Sequence, residues 1–326
     1  MKAEPKIVTI GGGTGSFNIL QGLKEVTSNI TAIISMVDDG GSTGVLRDEL
    51  GVLPPGDVRQ ALVALSQSTE LTRKLFNYRF EEGSFKGHSF GNVFISSLEK
   101  ITGSFGEAVK ATSKVLNIKG KVVPVTLDDI RLVLKFPDGQ EVEGEHLVDD
   151  MPFPNGQKPE VFVKPESRIN PDADKAIREA DAIIVVPGTL HASLLPNFVV
   201  GGMKDALEAT NAKVIYLCNL VTNNGQTDTY KVHDFAAEIE EYTGPILDYV
   251  LYNTEQPSRV LLDKYAKVGE YGVEVNQKAL DEAHYTAIGT DLVSEPEDAD
   301  SKGRMYIRHD VAAVNKLVLD ILNGDI

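Results

Sequence analysis

The run Gly11-Gly12-Gly13-Thr14-Gly15-Ser16 follows a short apolar segment and precedes residues at helical spacing. In that arrangement backbone N–H groups at a helix start can close on a phosphate. Gly12, Gly13 and Gly15 put no Cβ in the way of an anion, and Thr14 adds a hydroxyl. The run differs from G-x-G-x-x-G because Ser16 takes the third glycine position, and it lacks the Lys-Ser/Thr ending of a P-loop. A turn needed only for close packing is the competing reading. Asp38 and Asp39 end the next apolar run, just before Gly40-Gly41-Ser42-Thr43-Gly44. An acid at this point can meet a ribose or hold Mg²⁺ beside a phosphate, since hard cations take oxygen ligands. Neighbouring side chains on an extended strand point to opposite faces, so one carboxylate can face a ligand while the other caps the next turn. Asp39 stands nearer the glycine-rich turn and is expected to carry the metal and any catalysis, with Asp38 as the alternative.

Four more loops offer polar groups. Gly41 and Ser42 extend the second glycine run, and His88 and Asn92 in GHSFGN offer hydrogen bonds to a ligand. His88 is either a general acid/base or a structural donor. Pro187-Gly188-Thr189, with Ser193, is a second strand-to-helix turn fit for a phosphate, or turn chemistry alone. Asn219 ends the next apolar run, where an amide suits a base or a sugar hydroxyl, or ties its own loop. Arg308 can fork onto a phosphate or sit in a surface ion pair, and Asp310 reads as a helix N-cap.

The elements that must position these loops alternate between strand and helix. Lys6 to Ile10 and Ile30 to Val37 read as strands around a helix carrying Phe17, Ile19, Leu20 and Leu23. That βαβ unit places both glycine loops on one sheet edge, where open α/β sheets bind ligands. Helices are expected through Val58 to Leu65, with Asp57 as N-cap, and around Leu71, Phe94 and Val109. From about 119 to 165 the period shortens, and Pro137-Asp138-Gly139 signals a hairpin in a β-rich insertion. Its end, MPFPNGQKP, reads as a surface loop or a mobile flap. Strands at Ala182 to Val186, Val214 to Leu220 and Asp248 to Tyr252 restore the alternation, and Met305 to Ile307 precedes a last helix. The acidic SEPEDADSKG is expected to be a solvated loop. The reading is one Rossmann-like three-layer α/β/α domain over residues 1–326, with a mainly parallel sheet.

Composition narrows the ligand class. The chain has 326 residues, 42% of them hydrophobic, enough for a large core. Its 32 basic and 48 acidic residues give a formal charge of −16, which repels an extended polyanion and argues against nucleic acid. A compact phosphorylated ligand stays compatible, because local N–H groups and a few arginines can hold it. The single Cys218 lies in an apolar run, which fits a buried strand residue and a reducing compartment. The N-terminus enters a strand without a signal-peptide pattern, and no apolar run reaches the length of a membrane span, so a cytoplasmic protein is expected.

In order along the chain, IGGGTGSFNILQGLK, VDDGGSTGVLRDELGVLPPGDVRQALVAL, KGHSFGN, VVPGTLHASLLPNFVV, NLVTNNGQTDTY and RHD resemble the gluconeogenesis factor family (YvcK/GlmR-like). That family sits within the CofD-like superfamily of 2-phospho-L-lactate transferases. The resemblance implies a cytoplasmic regulator that binds UDP-N-acetylglucosamine (UDP-GlcNAc) and supports cell-wall precursor supply and cell shape on gluconeogenic carbon. It also implies an alternative, a Mg²⁺-dependent transferase joining UTP and N-acetylglucosamine 1-phosphate, or transferring a phospholactyl group, with the acid at Asp38 or Asp39. No tightly bound organic cofactor is implied; a cell-wall precursor enzyme as partner and a homo-oligomeric assembly are. Ser16-Phe17, VPGTLHAS and NNGQT depart from the family pattern, and His191 stands where an aromatic hydroxyl is expected, which bears on sugar or uracil contacts. A dinucleotide oxidoreductase rests only on the imperfect glycine run.

Overall fold

The computed structural model describes residues 4–294 and 307–326. Ile7–Gly11 (β1), Ile30–Ile34 (β2) and Lys121–Pro124 (β3) form one half of the main sheet. An antiparallel three-stranded sheet follows, from Arg131–Lys135 (β4), Glu141–Glu143 (β5) and Glu160–Lys164 (β6), in the order β5-β4-β6. Ala182–Val185 (β7), Lys213–Leu217 (β8), Tyr249–Asn253 (β9) and Thr286–Thr290 (β10) complete the main sheet. Its seven strands run β10-β9-β8-β7-β1-β2-β3, every pair parallel. A two-stranded ribbon pairs Val293–Ser294 (β11) with Arg308–His309 (β12).

The central strands are buried along their whole length, as a parallel sheet covered on both faces requires: β1 is IVTIG and β7 is AIIV, with every residue inside. From β1 the chain winds outward through β2 to β3, then returns to β7 and winds the other way. Right-handed crossovers in opposite directions put the connecting helices on opposite faces. Gly13–Val26 packs against Gly56–Leu65 and Val311–Asn323, whereas Met203–Glu208 packs with Pro171–Arg178 and Val232–Thr243. The fold is thus a Rossmann-like three-layer α/β/α arrangement. Its strand order reverses between β1 and β7, and the loops leaving their carboxyl ends must diverge there.

The boundary of the insertion shifts from the sequence reading. Lys121–Pro124 is the edge strand of the main sheet, in register with Thr31 to Ile34, so the separate β-structure begins only at β4. Period alone cannot distinguish these strands, because both present short apolar runs. The hairpin forms at Pro137-Asp138-Gly139: Phe136 N–H donates to Gln140 O at 2.8 Å, and Gly139 takes the positive φ the turn needs. MPFPNGQKP is not a free surface flap. Phe153 is buried edge-to-face against Phe136 and His191, and its N–H donates to Gly225 O at 2.8 Å. The last strand is Arg308–His309, the acidic stretch from Glu295 to Gly303 lies outside the described residues, and so do Met305 and Tyr306. Among the described residues no helix is long and apolar enough to cross a membrane.

Candidate functional site

At the switch point the glycine loop after β1 and the Pro187-Gly188-Thr189 turn after β7 touch. An atom added at the Cβ position of Gly15 would fall 2.3 Å from Pro187 O, so only glycine lets the start of helix Gly13–Val26 lie against the turn after β7. Gly13 has φ +70° and no heavy atom within 4 Å of its Cβ position, so it stands beside open space at the helix start. Gly188 approaches Ser193 and Gly12 O, and Thr189 O accepts from Ser193 N–H at 2.8 Å and Leu194 N–H at 3.2 Å. These bonds wind Leu190–Leu194 into a π-turn, a widened helix start that often marks functional sites.

A cleft of about 470 Å³ opens here, lined by Gly15, Asn18, Gly188, Thr189, Asn219 and Arg308 among others. A second cavity of about 580 Å³ lies over the carboxyl ends of β8 and β9, and Asn219, Leu220 and Glu270 line both. Asn219 bridges loops: its Nδ2 donates to Gly188 O at 2.8 Å, and Tyr216 hydroxyl donates to its Oδ1 at 3.3 Å. Arg308 Nη1 donates to Asn18 Oδ1 at 3.3 Å. Asp310 caps the last helix as expected, accepting from Ala312 and Ala313 N–H. Cys218 is buried and its thiol is pushed up to about 12 by desolvation, the state of an inert core residue.

The two acids part company. Asp39 accepts from the N–H groups of Glu145 at 3.2 Å and His146 at 2.8 Å, and Arg131 lies 3.7 Å away. It therefore holds the start of helix Glu145–Asp150 and ties the insertion to the site. Asp38 instead accepts from Gly40 N–H at 3.1 Å and from the Thr43 hydroxyl, and burial raises its carboxyl above the ordinary range. Asp57, read from sequence only as an N-cap, is instead the second residue of helix Gly56–Leu65, which starts after Pro55; its carboxylate lies under Gly12 and accepts from Gly13 N–H. Burial and then the Asp38 charge push it up to about 7, and Glu145 is pushed to about 9 by burial and by Asp38, Asp149, Asp57 and Asp39. The glycine loop thus sits over the raised carboxyl of Asp57.

Ser42, His88 and Asn92 come together on the β2 side. Ser42 Oγ lies 3.1 Å from His88 Nδ1, and Asn92 Nδ2 donates to Ser42 Oγ at 3.3 Å. Gly41 opens helix Gly41–Leu50 without a side-chain cap. Two arginines escaped the sequence reading. Arg47 is buried and grips Asp38 O at 2.9 Å, Ile130 O at 2.7 Å and Asp129, and so fixes the strand end that carries the acids. Arg59 Nε donates to Asn92 Oδ1 at 2.9 Å. His191 turns away from the cleft into the core, 2.8 Å from Glu238, which removes it from sugar or uracil contacts. The placements of Arg47 and His191 depend on tertiary packing, but the D-x-R spacing of Asp57 and Arg59 was visible.

Residues 7–293 match the sequence pattern of the family described as 2-phospho-L-lactate transferase CofD. A Thermotoga maritima protein is 45% identical over 306 residues, 94% of this chain and 95% of its own length. The gluconeogenesis factor of Bacillus subtilis is 37% identical over 327 residues, 99% of each chain. A crystal structure of a Bacillus halodurans protein superposes with a TM-score of 0.89 at 38% identity, covering 97% of this chain and 99% of that one.

Proposed function

The chain belongs to the CofD family, among relatives named gluconeogenesis factor, and from that premise we propose that it binds a nucleotide sugar, UDP-GlcNAc foremost, across the carboxyl edge of the sheet. One observation carries the reading. The Gly15–Pro187 approach joins two phosphate-type turns at the strand-order reversal, and the adjoining cavities of about 470 and 580 Å³ suit a ligand with two bulky ends. Phosphates lie over Gly12, Gly13, Thr14 and Gly15 and against Gly188, Thr189 and Ser193, with Arg308 closing the cleft. Occupancy reports UDP-GlcNAc supply to a cell-wall precursor enzyme in the cytoplasm, and the regulator needs no turnover to do so.

The raised acids favour a second reading, a Mg²⁺-dependent transferase. Among the described residues no three His, Cys, Asp or Glu side chains form a ready metal cage. Two carboxylates suffice for Mg²⁺, which usually keeps waters and takes ligand phosphates as its remaining partners. Asp38 and Asp57 would hold it: they flank the start of helix Gly56–Leu65, Asp38 against Gly56 and Asp57 under Gly12. The ion supplies charge neutralisation at the phosphates. In this reading the phosphate oxygen of N-acetylglucosamine 1-phosphate attacks the α-phosphorus of UTP and pyrophosphate leaves. Asp39, occupied by two amides, serves that site by positioning the insertion.

Titration calorimetry with UDP-GlcNAc, UTP, GDP, NAD and FAD, with and without Mg²⁺, tests both. UDP-GlcNAc should bind tightest, and Gly13→Val, which puts a side chain into the open space at the helix start and strains a backbone at φ +70°, should weaken it in a variant that still folds. Equal or tighter NAD binding reverses the assignment. Release of pyrophosphate from UTP and the sugar phosphate selects the transferase.

A further inference from the structure

Arg59 stands two residues beyond Asp57 on helix Gly56–Leu65 and is partly buried. Its Nε and Nη1 are held by the amide oxygens of Asn92 and Asn77, both neutral. Through space Arg79 repels it while Asp57 and Asp38 attract it, and neither acid is hydrogen-bonded to it. Gly91 makes this placement possible, because a Cβ there would fall 2.6 Å from Arg59 Cδ and 2.6 Å from Phe76 O. The guanidinium cannot discharge by losing a proton, and a desolvated charge is costly without an anion to offset it. Around it are Ser42, 7% exposed, Asn92, 3% exposed, and His88, joined through Ser42 Oγ. Asp57 meets Gly12 of the β1 loop, and Asp38 meets Gly56 at the start of the helix that carries Arg59.

We infer that Arg59, with Ser42, His88 and Asn92, forms a second anion subsite that takes the phosphate group of a second small ligand while a nucleotide sugar occupies the first. A fixed guanidinium fork, two hydroxyl- or amide-bearing side chains and an imidazole are the donors a phosphate recognises. Keeping Arg59 apart from Asp57 leaves its charge for the ligand and the carboxylates for a cation. The inference rests on the nucleotide-sugar reading only for its claim of simultaneous binding.

The test titrates the full chain with inorganic phosphate and with glucose 1-phosphate, alone and saturated with UDP-GlcNAc. Both should bind in either state, and Arg59→Gln should weaken them about tenfold or more while UDP-GlcNAc affinity stays within about threefold. Gly91→Ala, which displaces the Arg59 stem, should act in the same direction. Tighter glucose 1-phosphate supports a phosphomonoester and equal affinity supports free phosphate; either supports the subsite. Displacement of phosphate by UDP-GlcNAc, or unchanged phosphate binding in folded Arg59→Gln, overturns it. If Arg59→Gln fails to fold, Arg59→Lys keeps the charge and loses the fork, with the same weakening expected. Should UDP-GlcNAc not bind at all, the first reading fails, and the phosphate titrations on Arg59 variants still decide this one.

Discussion

The carboxylate of Asp38 fills the space above Gly56: a Cβ on that glycine would fall 2.2 Å from Asp38 Oδ2 and 2.5 Å from Thr43 Oγ1. The helix carrying Asp57 and Arg59 therefore starts in contact with the strand end carrying the acids. Gly56→Ala should push Asp38 aside and weaken Mg²⁺-linked ligand binding by about tenfold, roughly 1.4 kcal/mol. Calorimetry at several Mg²⁺ concentrations checks this, and an unchanged Mg²⁺ dependence would remove Asp38 from the cation site.

The cluster of raised acids also predicts a pH dependence. Asp57 is raised to about 7 and Glu145 to about 9, with Asp38 raised as well, so the folded state holds protons the unfolded state has released. Their contribution to stability is full below the ordinary carboxylate range and is lost as pH rises through the raised values. The cations facing them, Arg47 and Arg59, keep their charge across this window. In chelator, the melting temperature should fall from pH 6 to 9, Asp57→Asn should flatten that fall, and Mg²⁺ should reduce it. A flat wild-type profile in chelator would contradict the cluster.

Asp39 and Asp38 should fail in different ways. Removing the Asp39 acceptor leaves the Glu145 and His146 N–H groups without their partner, so Asp39→Ala should cost about 1–3 kcal/mol of stability and loosen the insertion. Asp38→Asn should leave stability near wild type at neutral pH and remove the Mg²⁺ effect on binding. Denaturant unfolding beside calorimetry separates the two. Loss of the Mg²⁺ effect in Asp39→Asn with full stability would return the metal to Asp39.

The order of strands and helices around the glycine loops was legible because parallel, fully buried strands such as IVTIG leave an unbroken apolar signal followed at once by turn residues. The three ligand loops could be placed on one edge by the same logic. What escaped depends on contacts remote in sequence. The partition of Asp38 from Asp39 is decided by a helix more than a hundred residues away, through Glu145 and His146. Asn219 could be placed at a strand end, but its bond to Gly188 O requires the β7–β8 pairing. Arg47 and Arg59 lie within ordinary amphipathic helices, where charged residues read as solvated until packing shows them turned inward.

The pair behind the second phosphate turn gives the last prediction. His191 Nε2 and Glu238 Oε1 are 2.8 Å apart with both side chains buried, and the Tyr230 hydroxyl donates to Glu238 Oε2 at 2.5 Å. Burial alone would raise Glu238, but His191, Tyr230 and Lys158 outweigh it and hold the carboxyl below its ordinary range. The contribution is therefore present above the ordinary glutamate range and is lost as pH falls through the depressed value. Removing one partner of a buried pair is strongly destabilising, so Glu238→Ala should cost about 3 kcal/mol. The Leu190–Leu194 turn that begins on Thr189 O should loosen with it, weakening nucleotide-sugar binding as well. Replacing both residues by leucine, together with Tyr230→Phe so that its hydroxyl is not left without a partner, should recover most of the stability. A double-mutant cycle in denaturant measures the coupling directly. A cost below about 1 kcal/mol for Glu238→Ala, the range of an exposed ion pair, would show that this pair does not hold the turn.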